Sequence, residues 1–158
     1  MNPRPTTPAP SQDPGEQVAR AAALCGERGA QLTALRRQIL ALLWRHGAPM
    51  GAYELIDVLK SETGRPVGPP TIYRALEFLR TQGLVTRIES RNAYVPCAHP
   101  ERPHLCLLFL CARCGASTEL ENPEIERALA AEAAGLGFRS TRCVVEVEGL
   151  CAACAGAA

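Results

Sequence analysis

Between Tyr94 and Glu119 the chain packs four cysteines (Cys97, Cys106, Cys111, Cys114), two histidines (His99, His104) and a closing carboxylate into 26 residues. Thiolates, imidazoles and a carboxylate crowded together form a donor set for a borderline-soft cation, with zinc the default. A second pair, Cys151-x-x-Cys154, follows Cys111-x-x-Cys114 after 36 intervening residues. Each C-x-x-C offers two sulfurs at the bite of one tetrahedral ion, and two such knuckles close a site of four thiolates. A closed site leaves no coordination position for chemistry, so its expected role is structural: it staples the end of the chain to a strand near the middle. A redox C-x-x-C is the rival reading. That chemistry sets its pair at a helix N-terminus, whereas one pair here follows a predicted strand and the other lies close to the last residue.

Cys97, His99, His104, Cys106 and Glu119 remain. Cys97 falls where a predicted hairpin ends, and His104 and Glu119 fall beyond it, so an ion shared among them would tie two domains together. A mixed sulfur, nitrogen and oxygen set on connecting chain should bind more reversibly than four thiolates. Reversible binding at a joint shifts the population toward the arrangement the metal prefers, which is how a sensor works.

The rest of the chain must position these groups. At 158 residues with 47% apolar content it has room for one domain or two small ones. No apolar run approaches the ~18–20 residues of a membrane span. The N-terminus lacks the apolar core of a secretory signal, so a cytoplasmic, reducing compartment is expected, and the eight cysteines read as ligands rather than disulfides. Charge is unevenly spread. Residues 17–96 carry 11 basic against 6 acidic side chains and residues 97–158 carry 5 against 8. A basic half beside an acidic half fits a nucleic-acid-binding domain joined to something else.

Residues 1–16, with five prolines, are expected to be a disordered tail. Residues 17–97 read as helix, helix, helix, helix, strand, strand. Thr33 suits an N-cap, Gly47 and Gly64 suit helix stops, and Thr71 is placed to cap TIYRALEFLRTQG after Pro69-Pro70. Two short strands flank a turn at Arg91-Asn92. Three helices followed by a hairpin is the order of a winged helix-turn-helix, whose last helix enters the DNA major groove. Thr71, Tyr73 and Arg74 lie on the open side of that helix. Arg forks onto guanine or grips phosphate, and Tyr bonds phosphate or packs on a thymine methyl. Residues 98–158 then read strand, helix, strand, a small α/β unit in need of a metal or a partner. The fold class expected is α+β.

The motifs LTALRRQIL, GAYELIDVL, PPTIYRALEFL, GLVTRIESRNAYVPC, FLCARCG and GLCAAC, in this order and spacing, resemble the Fur superfamily of bacterial metalloregulators, and within it the zinc-uptake (Zur) subfamily. The resemblance covers nearly all of the chain after the tail. It implies a homodimer with an N-terminal winged-helix domain and a C-terminal α/β dimerisation domain. It implies a structural zinc at Cys111, Cys114, Cys151 and Cys154, and a regulatory zinc, making two ions per chain. Cys97, His104 and Glu119 match three regulatory ligands. The position that usually supplies a His is Thr86 here, so His99 is the expected replacement, with Cys106 or water behind it. The implied DNA contacts are Arg36, Thr71, Tyr73 and Arg74 on double-stranded operator DNA, with no membrane and no small-molecule substrate.

The function expected is therefore a zinc-responsive repressor of zinc-uptake genes, with no enzymatic activity: no nucleophile–base pair or phosphate-binding loop is present in the sequence. The alternatives are a sensor of another metal or of peroxide acting through Cys97 or Cys106, and a zinc-stapled module that binds protein.

Overall fold

The computed structural model describes residues 13–102 and 104–156. They form two compact units that divide between Glu101 and Arg102. Both mix helix and strand, the α+β class the sequence suggests. Among the described residues no helix is long and apolar enough to cross a membrane.

The first unit begins with α1 (Pro14–Glu27), capped by Asp13, whose carboxylate accepts the Gly15 N–H at 3.0 Å. Pro14 needs no N–H at the first helical position, so the helix starts three residues ahead of Gln17. Residues 1–12 of the expected tail lie outside the described residues. Helices α2 (Ala34–His46), α3 (Ala52–Thr63) and α4 (Pro69–Thr81) follow. Gly47 and Gly64 end α2 and α3 at φ 68°, a left-handed conformation that costs a glycine nothing. Thr71 does not cap α4. Gly68 holds that position and Thr71 sits inside the first turn, because Pro69 and Pro70 already carry helical φ.

The apolar stripes converge on one core. Ile39, Leu43, Leu55, Leu59, Ile72, Leu76 and Leu79 are all buried, each worth roughly 1.5–3 kcal/mol of burial. A three-stranded antiparallel sheet closes the unit: β1 (Met50–Gly51), β3 (Ala93–Pro96) and β2 (Val85–Ile88) in that order. A single 3-10 turn at Glu89–Arg91 and Asn92 at φ 48° join β2 to β3.

In the second unit β4 (Leu105–Cys111) is the central strand, with β5 (Ser117–Leu120) antiparallel on one side and β6 (Cys143–Gly149) parallel on the other. Six of the seven β4 residues are buried, on both faces of the strand, and only Phe109 is exposed, which is why LCLLFLC does not alternate. Helix α5 (Pro123–Gly135) makes the crossover between β5 and β6, with the Asn122 side chain capping the Glu124 and Ile125 N–H groups. One helical turn, α6 (Ala152–Ala155), follows.

Candidate metal centres and nucleic-acid interface

Because β4 and β6 run parallel, with Cys111 opposite Gly149, their C-terminal ends lie side by side. Cys111 ends β4 and Cys151 stands two residues past the end of β6, so topology delivers both knuckles to one corner. Gly115, at φ 78°, lets the first knuckle turn back so that the Cys111 N–H reaches the Ala116 carbonyl at 2.8 Å. The Ala112 N–H donates to the Gly149 carbonyl at 2.8 Å, and the Arg113 guanidinium donates to the Cys154 carbonyl at 2.6 Å. The sulfurs of Cys111, Cys114, Cys151 and Cys154 all lie within 4.8 Å of one another. Cys114 and Cys151 are 3.8 Å apart. Zinc–sulfur bonds of about 2.3 Å give a tetrahedron with an edge of about 3.8 Å, so the donors fit that ion.

The thiols divide electrostatically. The backbone N–H groups of Cys114 and Cys151 draw the Cys111 thiol down to about 5. Hydrogen bonding to the Cys151 thiol, then burial, push Cys154 up to about 12. Four sulfurs this close resist sharing negative charge, and a divalent cation removes the conflict.

The remaining candidate ligands are built into both units. In the second, His104 Nε2 lies 3.2 Å from Glu119 Oε1, and His104 Nδ1 lies 3.1 Å from the Arg102 carbonyl. A carbonyl and a carboxylate both only accept, so a neutral ring with one N–H satisfies one of them, and a cation between Nε2 and Glu119 would satisfy the other. Two ligands of one tetrahedral zinc, at about 2.0–2.1 Å each, stand about 3.3 Å apart, and a carbonyl behind the second ring nitrogen is the usual support for a metal-bound imidazole. The pair therefore suits a shared cation.

In the first unit Cys97 extends the wing ladder, its N–H donating to the Leu84 carbonyl at 2.9 Å. Thr86, two residues on from Leu84, shares that face with Cys97, and both are 6% exposed. His99 Nδ1 is 3.1 Å from Glu101, whose carboxylate also meets Arg20 at 3.3 Å. Cys106 is buried on β4.

On α4 the buried residues Ile72, Ala75, Leu76 and Leu79 leave Thr71, Tyr73 and Arg74 outward. Arg36, Thr71 and Arg74, with Thr33, line an open groove of about 190 Å³ where α2 and α4 begin. Arg36 is held there, its guanidinium 3.5 Å above the Phe78 ring and donating to the Gln31 carbonyl at 2.7 Å. Sequence reasoning had singled out Arg36, Thr71 and Arg74. It missed Thr33 as a lining residue and Phe78 as the support for Arg36, since nothing in spacing says which aromatic a cation will stack on.

A winged-helix unit followed by an α/β unit with a four-cysteine cluster that could hold a metal is the architecture of a DNA-binding metalloregulator. The chain matches the Ferric uptake regulator family over residues 27–148, and it belongs to that family. It is 40% identical over 140 residues to the zinc uptake regulation protein of Escherichia coli (strain K12), covering 88% of this chain and 81% of the relative. Its structure matches a zinc uptake regulator complexed with zinc and DNA at a TM-score of 0.82 and 38% identity, covering 91% of this chain and 96% of that one. It also matches the crystal structure of holo XcZur at 0.78 and 41% identity, covering 89% of this chain and 98% of that one.

Proposed function

We propose that the protein is a cytoplasmic zinc-responsive repressor that binds operator DNA as a homodimer when zinc is replete and controls zinc-uptake genes. The observation that carries this reading is the likeness, over most of the chain, to a zinc uptake regulator solved with zinc and DNA. Two ions per chain follow from the donor sets. A structural zinc takes Cys111, Cys114, Cys151 and Cys154. A regulatory zinc takes Cys97, His104 and Glu119, with His99 as the fourth ligand in place of Thr86. Ligands from both units make the regulatory ion selective for whichever arrangement lets all of them bind, and that arrangement is the one competent for DNA.

Arg74 and Tyr73 are the base and backbone contacts of α4, while Arg36 and Thr71 grip phosphate. A second copy of the chain is supported by apolar surface left open in the second unit. Helix α5 buries none of its residues, and Ile125, Leu129, Phe109 and Val147 are all 38–44% exposed. Phe109 and Val147 also line an apolar groove of about 260 Å³ beside the knuckles. Zinc added back to chelator-treated protein in an operator-shift assay tests the whole reading. Zinc should restore binding at very low free metal. Binding toggled by peroxide and indifferent to zinc would overturn it.

A further inference from the structure

Three separated pieces of the first unit meet at the guanidinium of Arg28. This residue closes α1, its own N–H returning to the Leu24 and Cys25 carbonyls at 3.2 and 3.1 Å. Its side chain reaches two other backbones: Nη1 donates to the Gln82 carbonyl at 2.6 Å and Nη2 to the Pro100 carbonyl at 2.7 Å. Gln82 follows the last residue of α4, where helical carbonyls run out of backbone partners and a cation is favoured. Pro100 lies three residues past Cys97, in the segment by which the chain leaves the first unit. That segment is held at two further points. The Cys97 N–H donates to the Leu84 carbonyl at 2.9 Å, and Arg20, eight residues before Arg28 on α1, meets the Glu101 carboxylate at 3.3 Å.

We propose that Arg28 is a positioning residue for the metal response: its planar fork clasps the end of α4 to the segment that leads on from Cys97, so that a metal acting on that segment sets α4. This rests on the reading of α4 as the DNA-reading helix and of Cys97 as a regulatory ligand. Arg28 is exposed, and α1 is anchored to the core by Ala21 and Cys25 instead, so the unit folds without the clasp. What the clasp fixes is direction. A guanidinium offers donors in one rigid plane, one for each carbonyl, whereas an ammonium on a flexible stem is a point charge that does not hold both at a set angle. Without the fork, zinc closes its ligands around a displaced segment and leaves α4 unset. Both sites then persist while the coupling between them falls.

The test compares wild type, Arg28→Ala and Arg28→Lys, all retaining the structural zinc and all well below their melting temperatures. Operator affinity is measured with the regulatory zinc bound and after a mild chelator has removed it, and the ratio of the two is the readout. Chelator competition without DNA reads zinc affinity. Both variants should match wild type in zinc affinity and in operator affinity without regulatory zinc, while the tightening caused by zinc falls about tenfold. A lost phosphate contact or a loosened fold would instead weaken operator binding with and without zinc alike, and an intact ratio of that kind overturns the clasp. A wild-type ratio in Arg28→Lys overturns it too, since a point charge would then suffice. If zinc does not tighten operator binding by wild type, the regulator reading fails and the clasp falls with it. Wild-type tightening matched by both variants removes the clasp alone.

Discussion

The sulfurs of Cys114 and Cys151 stand 3.8 Å apart across 37 positions of sequence. Parallel pairing of β4 with β6 brings them there, and the short turns after each strand hold them. A closed site of this kind contributes its binding free energy directly to folding. Replacing Cys111 with Ser should remove one tightly held zinc per chain and cost about 4 kcal/mol or more, since loss of a metal is among the few changes with effects that large. Elemental analysis and thermal melting check this, and a variant that keeps its metal and its melting temperature would show that the four sulfurs do not form one site.

The same cluster sets a pH dependence for the metal-free protein. The Cys111 thiol lies at about 5, below the ordinary 9.0. Its contribution to stability is therefore complete above about 9 and lost as pH falls through 5. Cys154, pushed up to about 12, has the opposite sign: its contribution is complete below 9 and lost as pH rises through 12. Between pH 5 and 9 the chelated protein should hold Cys111 as a thiolate, visible as ultraviolet thiolate absorbance that is lost on acidification through pH 5 and reduced in Cys111→Ser.

How far the sequence disclosed these features depends on how local each signal is. The two C-x-x-C spacings are local, and so are the stripes of α2, α3 and α4, which is why both are readable from the residues. Strands β1 and β5 are two and four residues long and exist only through partners more than a few positions away, β3 for one and β4 for the other. Periodicity over so few residues carries no signal. Thr71 was misplaced because its type suits a cap while the two prolines ahead of it already start the helix. Periodicity marks Ile125 and Leu129 as one face of α5 but not what covers that face, and both stay open in the single chain. The Arg102–Glu121 pair, 19 positions apart in sequence, is likewise invisible to any local pattern.

On α4, Arg74 is exposed and fully outward, whereas Arg36 is braced by Phe78 and the Gln31 carbonyl. A side chain free to reach bases and one held rigid at a groove should lose different things. Arg74→Ala should cost about 1–3 kcal/mol of operator affinity and relax sequence preference. Arg36→Ala should weaken all duplexes alike and reduce the salt slope by about one. Binding titrations on operator and scrambled DNA over a range of salt separate the two, and equal, salt-independent losses would contradict the division.

Thr86 and Cys97 share a buried face of the wing ladder, and a threonine there supplies no good zinc ligand. Cys97→Ser should leave a folded dimer with its structural zinc and no zinc-dependent DNA binding. Thr86→His works in the other direction. An imidazole on the same face as the Cys97 sulfur adds a nitrogen donor, and regulatory zinc should bind about tenfold tighter, equivalent to about 1.4 kcal/mol. The larger side chain in a site only 6% exposed should cost about 1–3 kcal/mol of stability through overpacking, so melting and zinc affinity move in opposite directions. Combining Thr86→His with His99→Ala then identifies the fourth ligand. If His99 serves in wild type, His99→Ala alone weakens binding and Thr86→His rescues it. If His99→Ala alone changes nothing, water or Cys106 completes the site, and His99 serves only its ion pair with Glu101.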